Sequence, residues 1–275
     1  MKKNIFLASY PKSGNTWLRC IVTNLLNPNK EFDLKDIKTI HLLSDKKNFK
    51  DFEKKIFSNN GNLDFNWLTK NLIECQKIKN LQSKKNKIYK THSIKSKFFT
   101  NENVNLGFIY IIRDPRDIVV SLSYHSGGSY EKTIHELLYN DKLISSANGA
   151  NELISTWELN LISWLEYKNV SRLIIKYEDM LNNTHKIILE IGQFLEKITG
   201  NKVIKTNERV DQIVKNTNFS NLKYFENLSG FEESTKYSKF FRKGHSGQWH
   251  KNLSNEQIKH IEKKLKYLMK NFNYL

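Results

Sequence analysis

The chain has 275 residues, 39% of them hydrophobic and 27% charged, which is long enough to bury a core and too apolar for disorder as the main state. Its 45 basic and 28 acidic residues give a formal charge of +17, compatible with nucleic acid, an anionic membrane or a highly charged small substrate. The surplus is scattered as Lys46-Lys47, Lys54-Lys55, Lys84-Lys85 and Lys263-Lys264 among acids and Asn, without a basic tail, so charge alone identifies no partner.

Asn4 to Ser9 (NIFLAS) reads as a buried strand, Tyr10 to Asn15 as a turn, and Thr16 to Leu26 as a helix with Trp17, Leu18, Ile21, Val22, Leu25 and Leu26 at helical spacing. Asn27 to Asn86 is expected to be helical and loop-rich, with an amphipathic stretch from Asp64 to Ile78 whose Phe65, Leu68, Leu72, Ile73 and Cys75 share a face. Lys87 to Thr91 and Leu106 to Ile112 are predicted strands, the second so continuously apolar that both its faces must be covered. Asp114 then fits an N-cap and Pro115 the first position of a helix running Arg116 to Tyr124. A long helix is expected over Glu152 to Tyr167, with Trp157, Leu161, Trp164 and Leu165 as its core stripe, and a strand over Arg172 to Tyr177. Helices follow at Lys186 to Ile198 and Glu208 to Lys215, then an irregular stretch from Asn227 to Asn252, then a helix from Glu256 to Phe272.

Strands alternating with helices predict an α/β fold, one domain over residues 1–275 with a central, mostly parallel sheet flanked by helices. Three prolines and no Ser/Gly linker offer no domain boundary. The two cysteines, Cys20 and Cys75, sit in apolar-periodic segments, so they read as core filler in a reducing compartment rather than as a disulfide framework. The first apolar run reaches Lys12 too soon for a signal peptide or a membrane span, and a soluble cytoplasmic protein is expected.

Three segments carry chemistry. Tyr10-Pro11-Lys12-Ser13-Gly14-Asn15-Thr16-Trp17 joins a buried strand to a helix N-terminus, where free N–H groups and the helix dipole favour an anion. Lys12 adds a cation, Ser13 and Thr16 add hydroxyls, and Gly14 allows close approach. A Walker A loop is excluded, because there the Lys follows the second Gly of G-x-x-x-x-G-K-[ST]. The second segment, Arg113-Asp114-Pro115-Arg116-Asp117 with Ser121 two turns on, puts Arg113 at the carboxyl end of a strand, where open α/β sheets bind ligands. Its fork suits a phosphate, and a nucleotidase would place a magnesium-holding Asp there instead. Arg116 has the more ordinary reading, pairing with Asp114 or Asp117 at the helix start. The third segment, Phe240 through Trp249, combines Arg242-Lys243 with Gly244, Gly247 and aromatics that suit a wrapped nucleotide.

Together the segments resemble one family, the cytosolic-type sulfotransferases that use 3′-phosphoadenosine-5′-phosphosulfate (PAPS). Tyr10 to Trp17 resembles that family's 5′-phosphosulfate loop, Arg113 with Ser121 its 3′-phosphate site, and Arg242-Lys243-Gly244 through Trp249 its C-terminal cofactor loop. The resemblance implies that Lys90-Thr91-His92 carries the catalytic base, His92. It further implies that Lys12 neutralises the bridging oxygen, Lys90 holds the sulfuryl oxygens, Trp17 and Phe219 lie near the adenine, Tyr177 and Thr217 add cofactor contacts, and Phe240 packs on the nucleotide. The implied reaction moves a sulfuryl group to a hydroxyl or amine of a small-molecule acceptor and releases adenosine 3′,5′-bisphosphate (PAP), with no metal, no nucleic acid and no membrane partner.

The chain departs from the family pattern at Asn15, usually a hydroxyl residue, at Ser93-Ile94 after His92, often Leu-Pro, and at Gln248, usually Asp. The dimerisation segment of animal members is not reproduced at His250 to Asn255, which leaves the oligomeric state open. His125, one turn after Ser121, is the rival base. The rival readings of the whole chain are a nucleotide kinase with a degenerate P-loop and a basic nucleic-acid-binding protein, the latter without a helix-turn-helix, zinc-finger or aromatic RNP signature.

Overall fold

A computed structural model describes residues 2–42, 65–140, 143–145 and 151–275. Four parallel strands, β1 (Asn4–Ser9), β2 (Lys87–Thr91), β3 (Asn105–Ile112) and β6 (Ser171–Lys176), form a sheet in the order β2-β1-β3-β6. Placing β1 and β3 at the centre explains their sequences, since alternate side chains of both must be apolar toward two packed layers. Ile5, Leu7, Ile109, Ile111 and Ile175 meet helices α1 (Asn15–Leu26), α7 (Thr184–Thr199) and α8 (Asn207–Thr217) in one core. Phe6, Ala8, Phe108, Tyr110 and Ile112 meet α3 (Pro115–Ser126), α4 (Tyr130–Tyr139), α5 (Trp157–Leu165) and α11 (Asn255–Asn271) in the other. Helix α2 (Phe65–Gln82) adds Leu72 and Cys75 to that second core. The side chains of Phe65 and Leu68, expected on the same face, and the Lys46-Lys47 and Lys54-Lys55 pairs lie outside the described residues.

Several boundaries differ from the expectation, each for a local reason. The helix expected over Glu152 to Tyr167 is instead a short strand β5 (Asn151–Leu153), paired antiparallel with β4 (Leu143–Ser145), then α5 capped by Thr156, whose hydroxyl accepts from Leu159 N. Tyr177 ends no strand; it opens a short helix α6 (Tyr177–Asn182). Helix α4, begun by the Ser129 cap, was not anticipated, nor was α9 (Phe219–Ser229), capped by Asn218 and running into the stretch expected to be irregular, nor the short α10 (Trp249–Asn252) at the end of that stretch. The start of α3 is as the sequence implies: the Asp114 side chain accepts from Arg116 N, with Pro115 at the first position. Among the described residues no helix is long and apolar enough to cross a membrane.

Parallel pairing turns the carboxyl ends of all four strands to one edge. The Tyr10–Gly14 turn, His92, Arg113 and Tyr177 therefore arrive together, although the chain separates them widely.

Candidate active site at the strand ends

The turn after β1 is held in a conformation that side chains seldom take. Lys12 has φ 64° and Gly14 φ 106°, and a Cβ on Gly14 would stand 2.7 Å from the Tyr177 ring. Glycine is thus required there both by backbone angle and by the ring beside it. Asn15 donates to the Leu7 carbonyl at 3.0 Å and tethers the start of α1 to β1, so its side chain serves the loop from behind. Ser13 is fully buried. Its hydroxyl, the Trp17 indole Nε1 and the Arg113 Nε are buried without a partner among the described residues, an arrangement that costs stability unless a ligand or water satisfies it.

Arg113 leaves the end of β3 and donates to the Lys12 carbonyl at 3.0 Å and the His245 carbonyl at 3.4 Å. Its guanidinium lies 4.3 Å from the Tyr177 ring centroid and 3.6 Å from Asp117. Arg113 thus joins the first turn to the C-terminal loop, and Asp117 fixes that loop by accepting from Gly247 N at 2.8 Å and Trp249 N at 3.1 Å. Farther back, the buried Glu226 accepts from the backbone N–H of Phe240 at 2.6 Å and Phe241 at 2.9 Å. Between these two anchors Arg242 is held by Gln248 and lies 4.0 Å over Tyr124, while Lys243 is exposed. Gln248 thereby acquires a visible role, bridging Arg242 and the His245 carbonyl. Gly244 has φ 67°, and a Cβ there would fall 2.1 Å from Phe219. Arg116 behaves as its ordinary reading predicts, bonded to Asp114, Glu262 and the Tyr274 carbonyl.

These walls enclose a cavity of about 770 Å³, large enough for a nucleotide together with a second small molecule. Of the residues expected in a site, Lys12, Gly14, Asn15, Thr16, Trp17, Lys90, His92, Arg113, Ser121, Tyr177, Thr217, Phe219, Phe240, Arg242, Lys243 and Gly244 line it. Ser13 lies behind the wall. The Thr217 hydroxyl is already engaged with the Ile213 carbonyl at 2.8 Å. The Lys12 ammonium sits 3.8 Å over the Phe240 ring. Burial is the main influence on it and, with Arg113 opposing and Glu233 favouring the charge, brings its pKa down to about 7.

His92 follows β2. Its Nδ1 stands 2.9 Å from the Ser9 carbonyl and 3.2 Å from the Ser9 hydroxyl. With a carbonyl as partner, Nδ1 carries the proton and Nε2 keeps the lone pair. Asn160 of α5 fixes the same segment by donating to the His92 carbonyl at 2.8 Å, and Trp164 Nε1 donates to the Ser93 carbonyl at 3.0 Å. The aromatic stripe of α5 is therefore core and also the brace of the His92 strand end. Burial lowers the His92 pKa, and burial with the nearby Lys12 charge brings His125 to about 4, so both imidazoles are neutral at pH 7.

Three acidic residues line this cavity, Glu152, Glu233 and the exposed Glu232, and none was anticipated from the sequence. Glu233 accepts from Thr16 at 2.7 Å and Lys90 at 3.1 Å and pairs with the buried Arg19; the positive charges of Lys90 and Arg19 hold its pKa well below the carboxylate range against burial. Glu152 accepts at Oε1 from the backbone N–H of His92 and the Thr91 hydroxyl. Neither sits in a sequence motif; Glu233 is an acid in an otherwise basic and aromatic region, and Glu152 lies in a neutral polar one.

Parallel strand ends carrying a cationic cleft are where open α/β sheets bind ligands. The sulfotransferase-domain family model matches residues 2–273, and the chain belongs to that family and is a sulfotransferase. It is 27% identical over 179 residues to the amine sulfotransferase of Oryctolagus cuniculus, a match covering 62% of this chain and 57% of that protein. It is 25% identical to flavonol 3-sulfotransferase of Flaveria bidentis, covering 94% and 80% of the two chains, and 25% identical to Homo sapiens sulfotransferase 1E1, covering 96% and 84%. Retinol dehydratase, solved in complex with androsterone and the inactive cofactor PAP, has the same fold, with a TM-score of 0.66 at 21% identity over 97% of this chain and 80% of that one.

Proposed function

We propose that the chain transfers the sulfuryl group of PAPS to a hydroxyl or amine of a small-molecule acceptor, releasing PAP. The observation that carries this reading is the direct link between Lys12 and Arg113, which joins two cationic elements from different strand ends into one wall beside His92. The unpartnered Trp17 Nε1 and Arg113 Nε, both on residues that line the cavity, fit a nucleotide donor. Lys12, Ser13, Gly14, Asn15, Thr16 and Trp17 would surround its 5′ end. Arg113, Ser121, Arg242, Lys243 and Gly244 would take its 3′-phosphate, and Trp17, Tyr177, Thr217, Phe219 and Phe240 its adenosine side.

When bound, the donor supplies an activated sulfuryl group for in-line displacement, so that positioning and charge neutralisation carry the catalysis. His92 holds its proton on Nδ1 against Ser9 and receives the acceptor's proton at Nε2. Lys12 and Lys90 neutralise charge on the transferring and leaving oxygens, and Lys90 shares its ammonium with Glu233 in doing so. Calorimetry with PAP and with adenosine 5′-phosphate tests the donor: PAP should bind far more tightly, and equal affinities would refute the assignment.

A further inference from the structure

We infer that Glu233 competes with PAPS for the groups that take its 5′ anionic end, and that Arg19, which Glu233 engages, is a further ligand of that end. The inference rests on the PAPS-dependent reading above and deepens it at the phosphosulfate site.

The competition follows from what the carboxylate accepts. Glu233 Oε2 takes the Thr16 hydroxyl proton at 2.7 Å, and Oε1 accepts from Lys90 at 3.1 Å and from Arg19 Nη1. Thr16 and Lys90 are residues that the reading above gives to the 5′ end and the transferring oxygens of PAPS. Carboxylate and phosphate oxygens accept from the same cations and hydroxyls at the same distances. The Thr16 hydroxyl has one proton, so it must leave Glu233 before it can donate to a phosphate, whereas the three N–H groups of Lys90 can serve a carboxylate and a sulfuryl oxygen together.

Arg19 follows Thr16 by three residues on α1, the spacing that sets two side chains on one helix face. It is 2% exposed, its Nη2 donates to the Ile37 carbonyl at 3.1 Å, and its Nε is buried without a partner among the described residues. A guanidinium this buried requires an anion, and its ion-pair partner among the described residues is Glu233. A phosphate that displaces the carboxylate restores that counter-charge, and the guanidinium fork suits it. The turn permits the exchange. Among the described residues the Glu233 backbone pairs with no other backbone group, while the adjacent Ser234 and Thr235 hydroxyls are tied to Glu226 and to the His125 carbonyl. Glu233 is thus held on α1 by its side chain, and the carboxylate can swing away while the turn stays anchored.

The test titrates full-length wild type, Glu233→Gln and the double variant Glu233→Gln/Arg19→Gln with PAP and with adenosine 3′-phosphate, which lacks the 5′ phosphate. Glu233→Gln should bind PAP about tenfold or more tightly than wild type, the worth of one hydrogen bond to a charged group, with adenosine 3′-phosphate within about twofold. Adding Arg19→Gln should remove the gain for PAP alone. A purely structural Glu233 would instead weaken both nucleotides in Glu233→Gln. One measurement needs no variant: in wild type the Arg19 Nε–H resonance should shift with PAP and stay in place with adenosine 3′-phosphate. PAP affinity that is unchanged or lowered in Glu233→Gln, or raised equally for both nucleotides, overturns the inference. So does a double variant that keeps the gain, or an Arg19 resonance that PAP does not move. Wild type that binds PAP and adenosine 5′-phosphate equally refutes the PAPS reading itself, whereas tight PAP binding with no gain in Glu233→Gln overturns this inference alone.

Discussion

Lys12 combines a left-handed backbone, a place over the Phe240 ring and a pKa near 7, and its titration should be visible in ligand binding. An anion beside the ammonium raises the pKa in the complex, so binding is strongest with Lys12 charged and weakens once pH exceeds the free-protein value. PAP affinity should therefore fall between pH 7 and 9, by up to about tenfold per unit, and Lys12→Gln should bind more weakly with a flat profile over the same range. A wild-type profile that rises or stays level would remove Lys12 from the anion site. His92 should separate chemistry from binding: His92→Ala is expected to lower single-turnover rate roughly a hundredfold or more at nearly unchanged PAP affinity. An acidic phenol acceptor, already partly ionised, should suffer less than an aliphatic alcohol. If His125→Ala abolishes the rate and His92→Ala does not, the base is His125.

The C-terminal loop has little regular backbone pairing of its own, and its shape is imposed by carboxylates on neighbouring helices. Glu226 of α9 takes the N–H groups of Phe240 and Phe241, and Asp117 of α3 takes those of Gly247 and Trp249. Glu226 touches no proposed ligand, yet Glu226→Gln replaces one accepting oxygen by a donor aimed at an N–H. A loss of about 1–3 kcal/mol in unfolding free energy is expected, together with faster amide exchange over residues 231–243 and weaker PAP binding. Unchanged exchange in that loop would show that its shape does not depend on Glu226. These anchors also mark what the chain alone discloses. The Asp114–Pro115 helix start is legible because cap and helix lie within one turn, whereas the Asp117 and Glu226 contacts depend on how loop and helices pack.

The helix layer that holds α3 and α11 closes on Arg116, whose guanidinium lies 3.8 Å over Trp249 and bonds to Asp114, Glu262 and the carbonyl of Tyr274. It ties the start of α3 to α11 and to the chain end. Arg116→Ala leaves two carboxylates and a carbonyl without their cation, and should cost about 3 kcal/mol or more. Denaturant unfolding measures this, and a loss under 1 kcal/mol would show that α11 docks through its apolar face alone. Because Trp249 shares the loop with Arg242, donor affinity should fall in the same variant.

Periodicity and local capping determine that this chain alternates strand and helix, and three short segments in their order resemble those of the sulfotransferases before any coordinates are considered. Such signals are complete within a few residues: NIFLAS is apolar on both sides wherever it lies, and Gly14 is needed by its own turn. Partners far apart in the chain are decided only when the sheet assembles. Thr16 and Glu233 meet across 217 positions, and Glu152 reaches the His92 N–H across 60. Glu152 reads in sequence as the start of a helix because its neighbourhood carries that period, but the β4–β5 pairing draws it into a strand and sets its carboxylate beside His92. Composition registers an acid there and no more, since the worth of that charge depends on which cations, imidazoles and N–H groups the fold brings within a few ångströms of it.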